Sequence, residues 1–199
     1  MNSLNHIPQN TDKKFLREYY MQKRKDLLQN IDEKTELDLE IQSRLLISDE
    51  YRKCETILVY SSRDFEIDTM GIINLALINK KRVALPVCED SGEMSFYIIN
   101  SVDDLEKGLF NILEPKKHCK KLVDFSACLC VAPCLCCDMQ GHRLGFGKGY
   151  YDRFLQKFDG NICALCYSDS IIPQMEHNTF DIPVNIVITD KFLRHIIDN

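Results

Sequence analysis

The sequence predicts a single α/β domain built on a mainly parallel sheet. Short apolar, β-branched runs alternate along the chain with segments of helical periodicity, which is typical of a parallel sheet covered by helices on both faces. The chain has 199 residues, 45% of them hydrophobic, which suffices for one core. No internal repeat or linker divides the sequence. We therefore expect a single-domain, three-layer α/β/α fold over residues 13–199, preceded by a flexible tail over residues 1–12.

Two helices are predicted before the first strand. In Lys13–Gln29 apolar residues recur at helical spacing with basic residues between them, which predicts an amphipathic helix. Leu37, Ile41 and Leu45 fall on one stripe of a second helix. Asp32 is the expected N-cap of that second helix.

A strand, a loop and a helix follow. Thr56–Tyr60 is a short β-branched run and is predicted as a strand, and the polar Ser61–Asp64 segment is its loop. Either Asp68 or Thr69 is expected to cap a helix over Met70–Asn79.

The remaining predicted elements are shorter. Ser91-Gly92 is expected to turn the chain between two adjacent strands. Asp103–Gly108 suggests a short helical turn, and Phe110–Pro115 has no regular pattern. Strands are predicted over Arg82–Val87, Met94–Ile99, Phe125–Val131, Ile162–Tyr167 and Val184–Thr189, and a helix over Tyr150–Phe158.

Composition and charge disfavour several classes of protein. The net charge of −5 argues against a general nucleic-acid binder, which normally has a basic surplus. The longest run without a charged or strongly polar residue, Ala127–Cys137, is much shorter than the roughly 20 apolar residues of a membrane span. Met1–Asn10 lacks the basic-then-apolar pattern of a secretory signal. We expect a cytoplasmic protein without nucleic-acid or membrane partners.

The ten cysteines are interpreted as reduced thiols, because no secretory signal precedes them. Cys128 and Cys130 alternate within an apolar, strand-like run, and a free cysteine packs as a small hydrophobic residue. A zinc site among the five cysteines between Cys128 and Cys137 is the alternative. It is disfavoured because structural zinc sites prefer paired cysteines on turns.

One glycine-rich segment stands out. Four of the eight glycines lie between Gly141 and Gly149, where successive backbone N–H groups can face an anion. The pattern is not a Walker loop, because no Ser or Thr follows Lys148, and it is not a dinucleotide fingerprint, because Tyr150 stands where the third glycine belongs. The glycines alone leave phosphate binding and a flexible connection equally open. Arg143 and Lys148 favour phosphate binding.

The segment Asp138–Arg153 closely resembles the signature of the 5-formyltetrahydrofolate cyclo-ligase family, also called methenyltetrahydrofolate synthetase. Four further segments resemble the family's motifs in the right order: Lys13–Arg17, Glu66–Thr69, Phe110–Pro115 and Asp181–Val184. The resemblance spans nearly the whole chain. It implies a fold similar to the NagB/RpiA/CoA transferase-like fold, and we expect a monomer.

The resemblance implies a ligase that forms a C–N bond. The formyl group on N5 of the substrate is an amide, so its oxygen cannot leave as oxide and has to be activated. ATP phosphorylates that oxygen, N10 attacks the carbon, and loss of phosphate converts 5-formyltetrahydrofolate to 5,10-methenyltetrahydrofolate. Such an enzyme has to align the γ-phosphoryl group and neutralise its charge.

The resemblance also implies residue roles. Glu66 is the expected acceptor for the amino and ring N–H groups of the pterin. Lys13 and Arg17 are four residues apart, so a helix would present both from one face to a triphosphate. The expected catalytic cations are Lys13, Arg17, Arg143 and Lys148. The expected ATP-binding residues are Lys13, Lys14, Arg17, Arg143, Leu144, Gly145, Phe146, Gly147, Lys148, Gly149, Tyr150 and Tyr151. Substrate binding is expected from Ser61, Glu66, Phe146 and Tyr150, and Mg²⁺ ligation from Asp152 and Asp181.

Departures from the family pattern keep other functions open. Asn111 replaces a usual glycine, Cys137 a common aromatic residue, and Phe146 stands where several members carry Arg or Tyr. A non-catalytic folate- or nucleotide-binding protein is the first alternative. A sugar-phosphate isomerase or acyl-CoA transferase, which needs no ATP, is the second. Apart from the resemblance, Lys13 and Arg17 are more simply a solvated helix face.

Overall fold

The computed structural model describes residues 8–89, 91–108 and 112–196. Its helices are α1 (Lys13–Leu27), α2 (Ile31–Ile47), α3 (Asp49–Lys53), α4 (Met70–Ile78) and α5 (Tyr150–Leu155). Its strands are β1 (Thr56–Val59), β2 (Arg82–Cys88), β3 (Met94–Ile99), β4 (Leu105–Lys107), β5 (Leu113–Pro115), β6 (Lys120–Lys121), β7 (Cys128–Pro133), β8 (Cys136–Asp138), β9 (Arg143–Leu144), β10 (Asn161–Leu165), β11 (Ile171–Ile172), β12 (Ile186–Ile188) and β13 (Leu193–His195).

An eight-stranded sheet forms the centre, in the order β13-β12-β10-β7-β1-β2-β3-β6. The strands from β12 to β2 pair in parallel, whereas β3, β6 and β13 add antiparallel edges. In the register of the central pair, Ile57 lies opposite Leu129 and Val59 opposite Val131. The predicted α/β fold with a mainly parallel sheet is confirmed.

The strand β7 has buried side chains on both of its faces. Leu129 and Val131 pack in a cluster with residues of α2 and α4, whereas Cys130 and Ala132 pack in a second cluster with residues of α5. All ten cysteines are free, and only Cys88 is exposed. Burial raises the pKa of Cys130 to about 12, so its thiol stays neutral. The structure thus agrees with cysteines that pack as small hydrophobic residues.

The helix boundaries differ from the predicted ones at several points. Asn30, and not Asp32, is the N-cap of α2, and its side chain accepts from the N–H of Glu33 at 3.4 Å. Thr69 is the N-cap of α4 but makes no side-chain cap bond, while Asp68 accepts from the N–H of Met70 at 3.1 Å. The short helix α3 was not predicted.

The prediction of a helical turn over Asp103–Gly108 is largely wrong. Only Val102–Asp104 forms a 3₁₀ turn, and β4 then pairs with β5 in an antiparallel ladder. Pairing with a distant strand satisfies backbone groups that a local turn would have satisfied within itself. The predictions for Phe110 and Asn111 concern positions outside the described residues.

The helix α1 packs beside the glycine-rich segment. Leu16 and Tyr20 of α1 are buried in a cluster with Leu135, which precedes that segment, and Leu144, which lies within it. The buried Arg24 donates to the carbonyl of Cys134 at 3.1 Å and so ties the helix to the loop after β7.

The start of the described chain is held in place at two residues. Asp12 caps α1 by accepting from the N–H of Phe15 at 2.8 Å. The carbonyl of Thr11 accepts from the N–H of Glu176 at 3.2 Å. No helix among the described residues is both long and apolar enough to cross a membrane.

Candidate active site

A cavity of about 1030 Å³ opens beyond the carboxyl ends of the central strands. Tyr60, which follows β1, and Pro133, which ends β7, both line it. In open α/β sheets this edge is where ligands bind. Of the residues expected to bind ligands, these line the cavity: Lys13, Arg17, Ser61, Glu66, Arg143, Leu144, Gly145, Phe146, Gly147, Lys148, Gly149, Tyr150, Tyr151, Asp152 and Asp181.

Lys14 is the exception among the expected site residues. It is exposed and does not line the cavity. On the same helix Lys13 and Arg17 both reach the cavity, because residues four apart share one face of a helix. The structure therefore separates Lys14 from its neighbours in the expected nucleotide-binding set.

Arg17 joins α1 to the glycine-rich segment. Its Nε donates to the carbonyl of Gly145 at 3.1 Å. Gly147 has a φ of +91°, and a Cβ built there would lie 3.4 Å from Nε of Arg17. A side chain would be strained in this conformation, so glycine allows the loop to run past the guanidinium.

Lys13 and Asp181 form an ion pair across the cavity rim. Their Nζ and Oδ2 atoms are 2.5 Å apart, and Oδ2 also accepts from the N–H of Asn178 at 2.7 Å. Burial by itself raises the pKa of Asp181, but the bonds from Lys13 and Asn178 outweigh it, and the pKa lies below its ordinary value. The carboxylate is therefore held ionised.

Arg143 and Asp152 form a second ion pair, deeper in the cavity wall. Nη2 of Arg143 lies 2.7 Å from Oδ1 of Asp152, and their side chains are 3% and 28% exposed. Arg143 begins β9, before the glycine-rich turn, and Asp152 lies in the first turn of α5, after that turn. Nε of Arg143 is buried and has no hydrogen-bond partner among the described residues.

Glu66, which is expected to bind the folate, is buried and lines the cavity. One carboxylate oxygen, Oε2, accepts from the backbone N–H of Arg63 at 2.8 Å and from Nε of Arg63 at 3.2 Å. The other oxygen, Oε1, accepts from Nη2 of Arg63 at 3.3 Å. Sequence reasoning missed Arg63, although its spacing of three residues from Glu66 within a loop was visible.

Phe146, Tyr150 and Tyr151 form another wall of the cavity, and Phe65 and Phe96 pack against members of this group. The ring centroids of Phe65 and Phe146 are 5.8 Å apart, with an edge-to-face arrangement. Tyr150 donates from its hydroxyl to the carbonyl of Glu89 at 3.4 Å and remains partly exposed. Tyr151 packs against Phe96, and burial raises the pKa of Tyr151 well above its ordinary value.

Arg153 is a second cavity residue that sequence reasoning did not select. It donates to the carbonyls of Gly92 and Lys148 at 2.8 and 3.0 Å, and its guanidinium lies 5.3 Å from the ring centroid of Tyr150. These contacts tie the start of α5 to the turn before β3. No local sequence pattern signals them, because Gly92 and Arg153 are 61 residues apart.

Comparisons with known proteins identify one family. The model of the 5-formyltetrahydrofolate cyclo-ligase family matches residues 9–190. The "Probable 5-formyltetrahydrofolate cyclo-ligase" of Schizosaccharomyces pombe is 27% identical over 165 residues, which cover 74% of this chain and 81% of the relative. The 5-formyltetrahydrofolate cyclo-ligase of Escherichia coli K12 is 29% identical over 140 residues, 67% of this chain and 77% of the relative.

Solved structures are similar over nearly the whole chain. The 5,10-methenyltetrahydrofolate synthetase of Aquifex aeolicus has a TM-score of 0.82 at 30% identity, with 94% of each chain covered. The synthetase of Mycoplasma pneumoniae, at 23% identity and a TM-score of 0.71 over 90% of this chain and 99% of its own, shares the fold. The chain belongs to the 5-formyltetrahydrofolate cyclo-ligase family.

Proposed function

We propose that this chain converts 5-formyltetrahydrofolate and ATP to 5,10-methenyltetrahydrofolate, ADP and phosphate. One observation carries the proposal: segments far apart in the sequence bring four cations and one recessed carboxylate to a single cavity of about 1030 Å³. The cations are Lys13, Arg17, Arg143 and Lys148, and the carboxylate is Glu66. Binding of a triphosphate requires the cations, and binding of the N–H edge of a pterin requires the carboxylate.

The cationic part of the cavity suits the triphosphate of ATP. Lys13 and Arg17 extend from α1, and Arg143 and Lys148 from the glycine-rich segment. Lys13 and Arg143 are paired with carboxylates in the described structure, and phosphate oxygens would be their alternative partners. The buried, unpartnered Nε of Arg143 has hydrogen-bonding capacity left for a ligand oxygen.

Asp152 and Asp181 are the residues that would hold Mg²⁺. Both carboxylates line the cavity, and within the described part of the chain Oδ2 of Asp152 and Oδ1 of Asp181 accept no hydrogen bond. Carboxylate oxygens suit a hard cation of this kind. Mg²⁺ at this place would neutralise charge on the phosphates of the bound nucleotide.

The carboxylate of Glu66 suits the pterin. The 2-amino group and the adjacent ring N–H of a pterin form a two-donor edge, and a carboxylate accepts such an edge with both oxygens. The backbone N–H of Arg63 fixes Oε2 of Glu66 at 2.8 Å, so the acceptor is in place before a ligand arrives. Phe146 and Tyr150 offer ring surface for the flat heterocycle.

The residues of the cavity position the two substrates and neutralise the negative charge of the phosphates. The formyl oxygen takes the γ-phosphoryl group as ADP leaves, N10 then forms a bond with the formyl carbon and loses its proton to solvent, and the phosphorylated oxygen leaves as phosphate. Arg143 and Lys13 stabilise negative charge while the phosphoryl group moves. Glu66 and the aromatic wall hold the pterin so that the formyl oxygen faces the nucleotide.

The test is the appearance of the methenyl product. We expect its near-ultraviolet absorbance to rise when the protein is mixed with 5-formyltetrahydrofolate, ATP and Mg²⁺, and to stay flat when any of them is omitted. Calorimetric binding of folate and nucleotide without product would instead indicate a non-catalytic binding protein. An activity that needs no ATP would favour the isomerase or transferase alternative.

We also propose the finer assignments that follow from the family. Apolar clusters on both faces of the central sheet support a single-domain, three-layer α/β/α arrangement similar to the NagB/RpiA/CoA transferase-like fold. Ten free thiols are typical of a reducing compartment and support a cytoplasmic location. A monomer is the simplest assembly, and size-exclusion chromatography with light scattering tests it.

A further inference from the structure

Arg63 occupies the carboxylate that the proposed function reserves for the pterin. Its Nε and Nη2 donate to Oε2 and Oε1 of Glu66 at 3.2 and 3.3 Å, one nitrogen to each oxygen. The side chain of Arg63 is 30% exposed and lines the cavity, whereas that of Glu66 is 8% exposed. The guanidinium therefore bonds both oxygens of Glu66 and is the more exposed partner of the pair.

The guanidinium also packs against two aromatic rings, and one of them, Phe146, lines the cavity. Its central carbon lies 4.5 Å from the ring centroid of Phe65 and 4.3 Å from that of Phe146. With the two centroids 5.8 Å apart, the guanidinium fits the angle between the rings. A flat, delocalised cation stacks on aromatic faces in this way.

These contacts match those expected of a pterin. Both groups are planar, both present two adjacent N–H donors to a carboxylate, and both pack on aromatic rings. Two such groups cannot bind the same carboxylate edge at once. Binding of the pterin to Glu66 consequently requires the Arg63 side chain to leave.

We infer that Arg63 is an internal competitor for the pterin site and thereby a residue that determines folate affinity and specificity. The inference rests on the proposed function. Glu66 keeps its orientation when the side chain of Arg63 leaves, because the backbone N–H of Arg63 still donates to Oε2 at 2.8 Å. A ligand that lacks the two-donor edge cannot replace the guanidinium at both oxygens, so the ion pair disfavours such ligands.

The expected change in folate affinity depends on the fraction of molecules in which the side chain of Arg63 has left Glu66. Exposed ion pairs are weak, and this one gains from its bidentate geometry and ring contacts. The measured affinity is the intrinsic affinity reduced by the fraction of molecules in which the site is free. If that fraction is about one tenth to one third, removing the side chain tightens folate binding about threefold to tenfold.

The experiment is calorimetric titration of 5-formyltetrahydrofolate into the full chain and its Arg63→Ala variant, without ATP. We expect the Kd of Arg63→Ala to be about threefold to tenfold lower, and the KM for the folate to fall in the same direction. Arg52→Ala is the matched control, because Arg52 also pairs with an acid three residues away, Asp49, but outside the cavity. Its folate Kd should equal that of the unmodified chain.

Each outcome has a separate meaning. An unchanged or weaker folate affinity in a folded Arg63→Ala variant would overturn the inference and leave the proposed function intact. Failure of the unmodified chain to bind the folate at all would overturn both. If Arg63→Ala does not fold, the Nε–H resonance of Arg63 in the unmodified chain, assigned with Arg63→Lys, decides the question: it should shift when the folate is added, and no shift refutes displacement.

Discussion

Replacing Arg143 with methionine tests whether this buried arginine serves catalysis or only the fold. The variant keeps an unbranched side chain in the same space but loses the partner of Asp152, whose Oδ1 lies 2.7 Å from Nη2. At an effective dielectric constant of about 20, charges at this separation attract by about 6 kcal/mol before desolvation is subtracted. Removing one partner of a fully buried pair costs about 3 to 5 kcal/mol.

We expect Arg143→Met to lose less stability than the removal of one partner from a fully buried pair. The side chain of Asp152 is 28% exposed, so water can solvate the carboxylate once the guanidinium is gone. We expect the free energy of unfolding to fall by about 2 kcal/mol. Adding Asp152→Asn to Arg143→Met should restore about half of that loss, because no unpaired charge then remains.

The expected loss of activity is larger. A cation placed at a transferring phosphoryl group contributes about 10³ to 10⁵ in rate, which corresponds to about 4 to 7 kcal/mol of transition-state stabilisation. The assays are denaturant unfolding and kcat from the absorbance of the methenyl product at saturating ATP. Arg194→Met, an arginine outside the cavity, is the control and should keep its kcat. A folded Arg143→Met variant with kcat within about tenfold of the unmodified chain would refute the catalytic role.

Three further predictions concern the carboxylates and the thiols. Glu66→Gln should raise the KM for the folate at least about tenfold while the calorimetric Kd of ATP stays the same, because a neutral amide accepts the two-donor edge at one oxygen only; equal losses for both ligands would contradict this. Asp181 has a pKa below its ordinary value in the folded chain, so it contributes stability above pH about 4 that is lost as the pH falls through the folded pKa. Thermal melts should accordingly show Asp181→Asn less stable than the unmodified chain at pH 7, with the difference shrinking at pH 3, and a constant difference would be inconsistent with the ion pair. A thiol reagent should modify Cys88 first and slowly in the native protein, because Cys88 is the exposed cysteine and partial burial raises its pKa, and Cys88→Ser should remove that phase.

Local patterns predicted the elements whose residues decide their own conformation. The starts of α1, β1 and α4 follow the predicted ones, because helical and strand periodicities are properties of a few neighbouring residues. The patterns failed where a contact outside the segment, or a single local bond, decides the backbone. Residues 105–107 form a strand because they pair with the next strand, Leu113–Pro115. Asn30 caps α2, which begins at Ile31, because its side chain accepts from the N–H of Glu33. Neither outcome is encoded in the periodicity of the segment itself.

The sequence by itself determined the family, the glycine-rich segment and most of the residues that line the cavity. Only the tertiary structure decided which charges meet. Lys13 lies 168 residues from Asp181, and Arg143 faces Asp152 only because the turn between them closes. The contact of Arg63 with the ring of Phe146 likewise depends on how the Phe146 loop folds back. Motifs record residue types in order along the chain, whereas ion pairs depend on distances that packing of the whole domain sets.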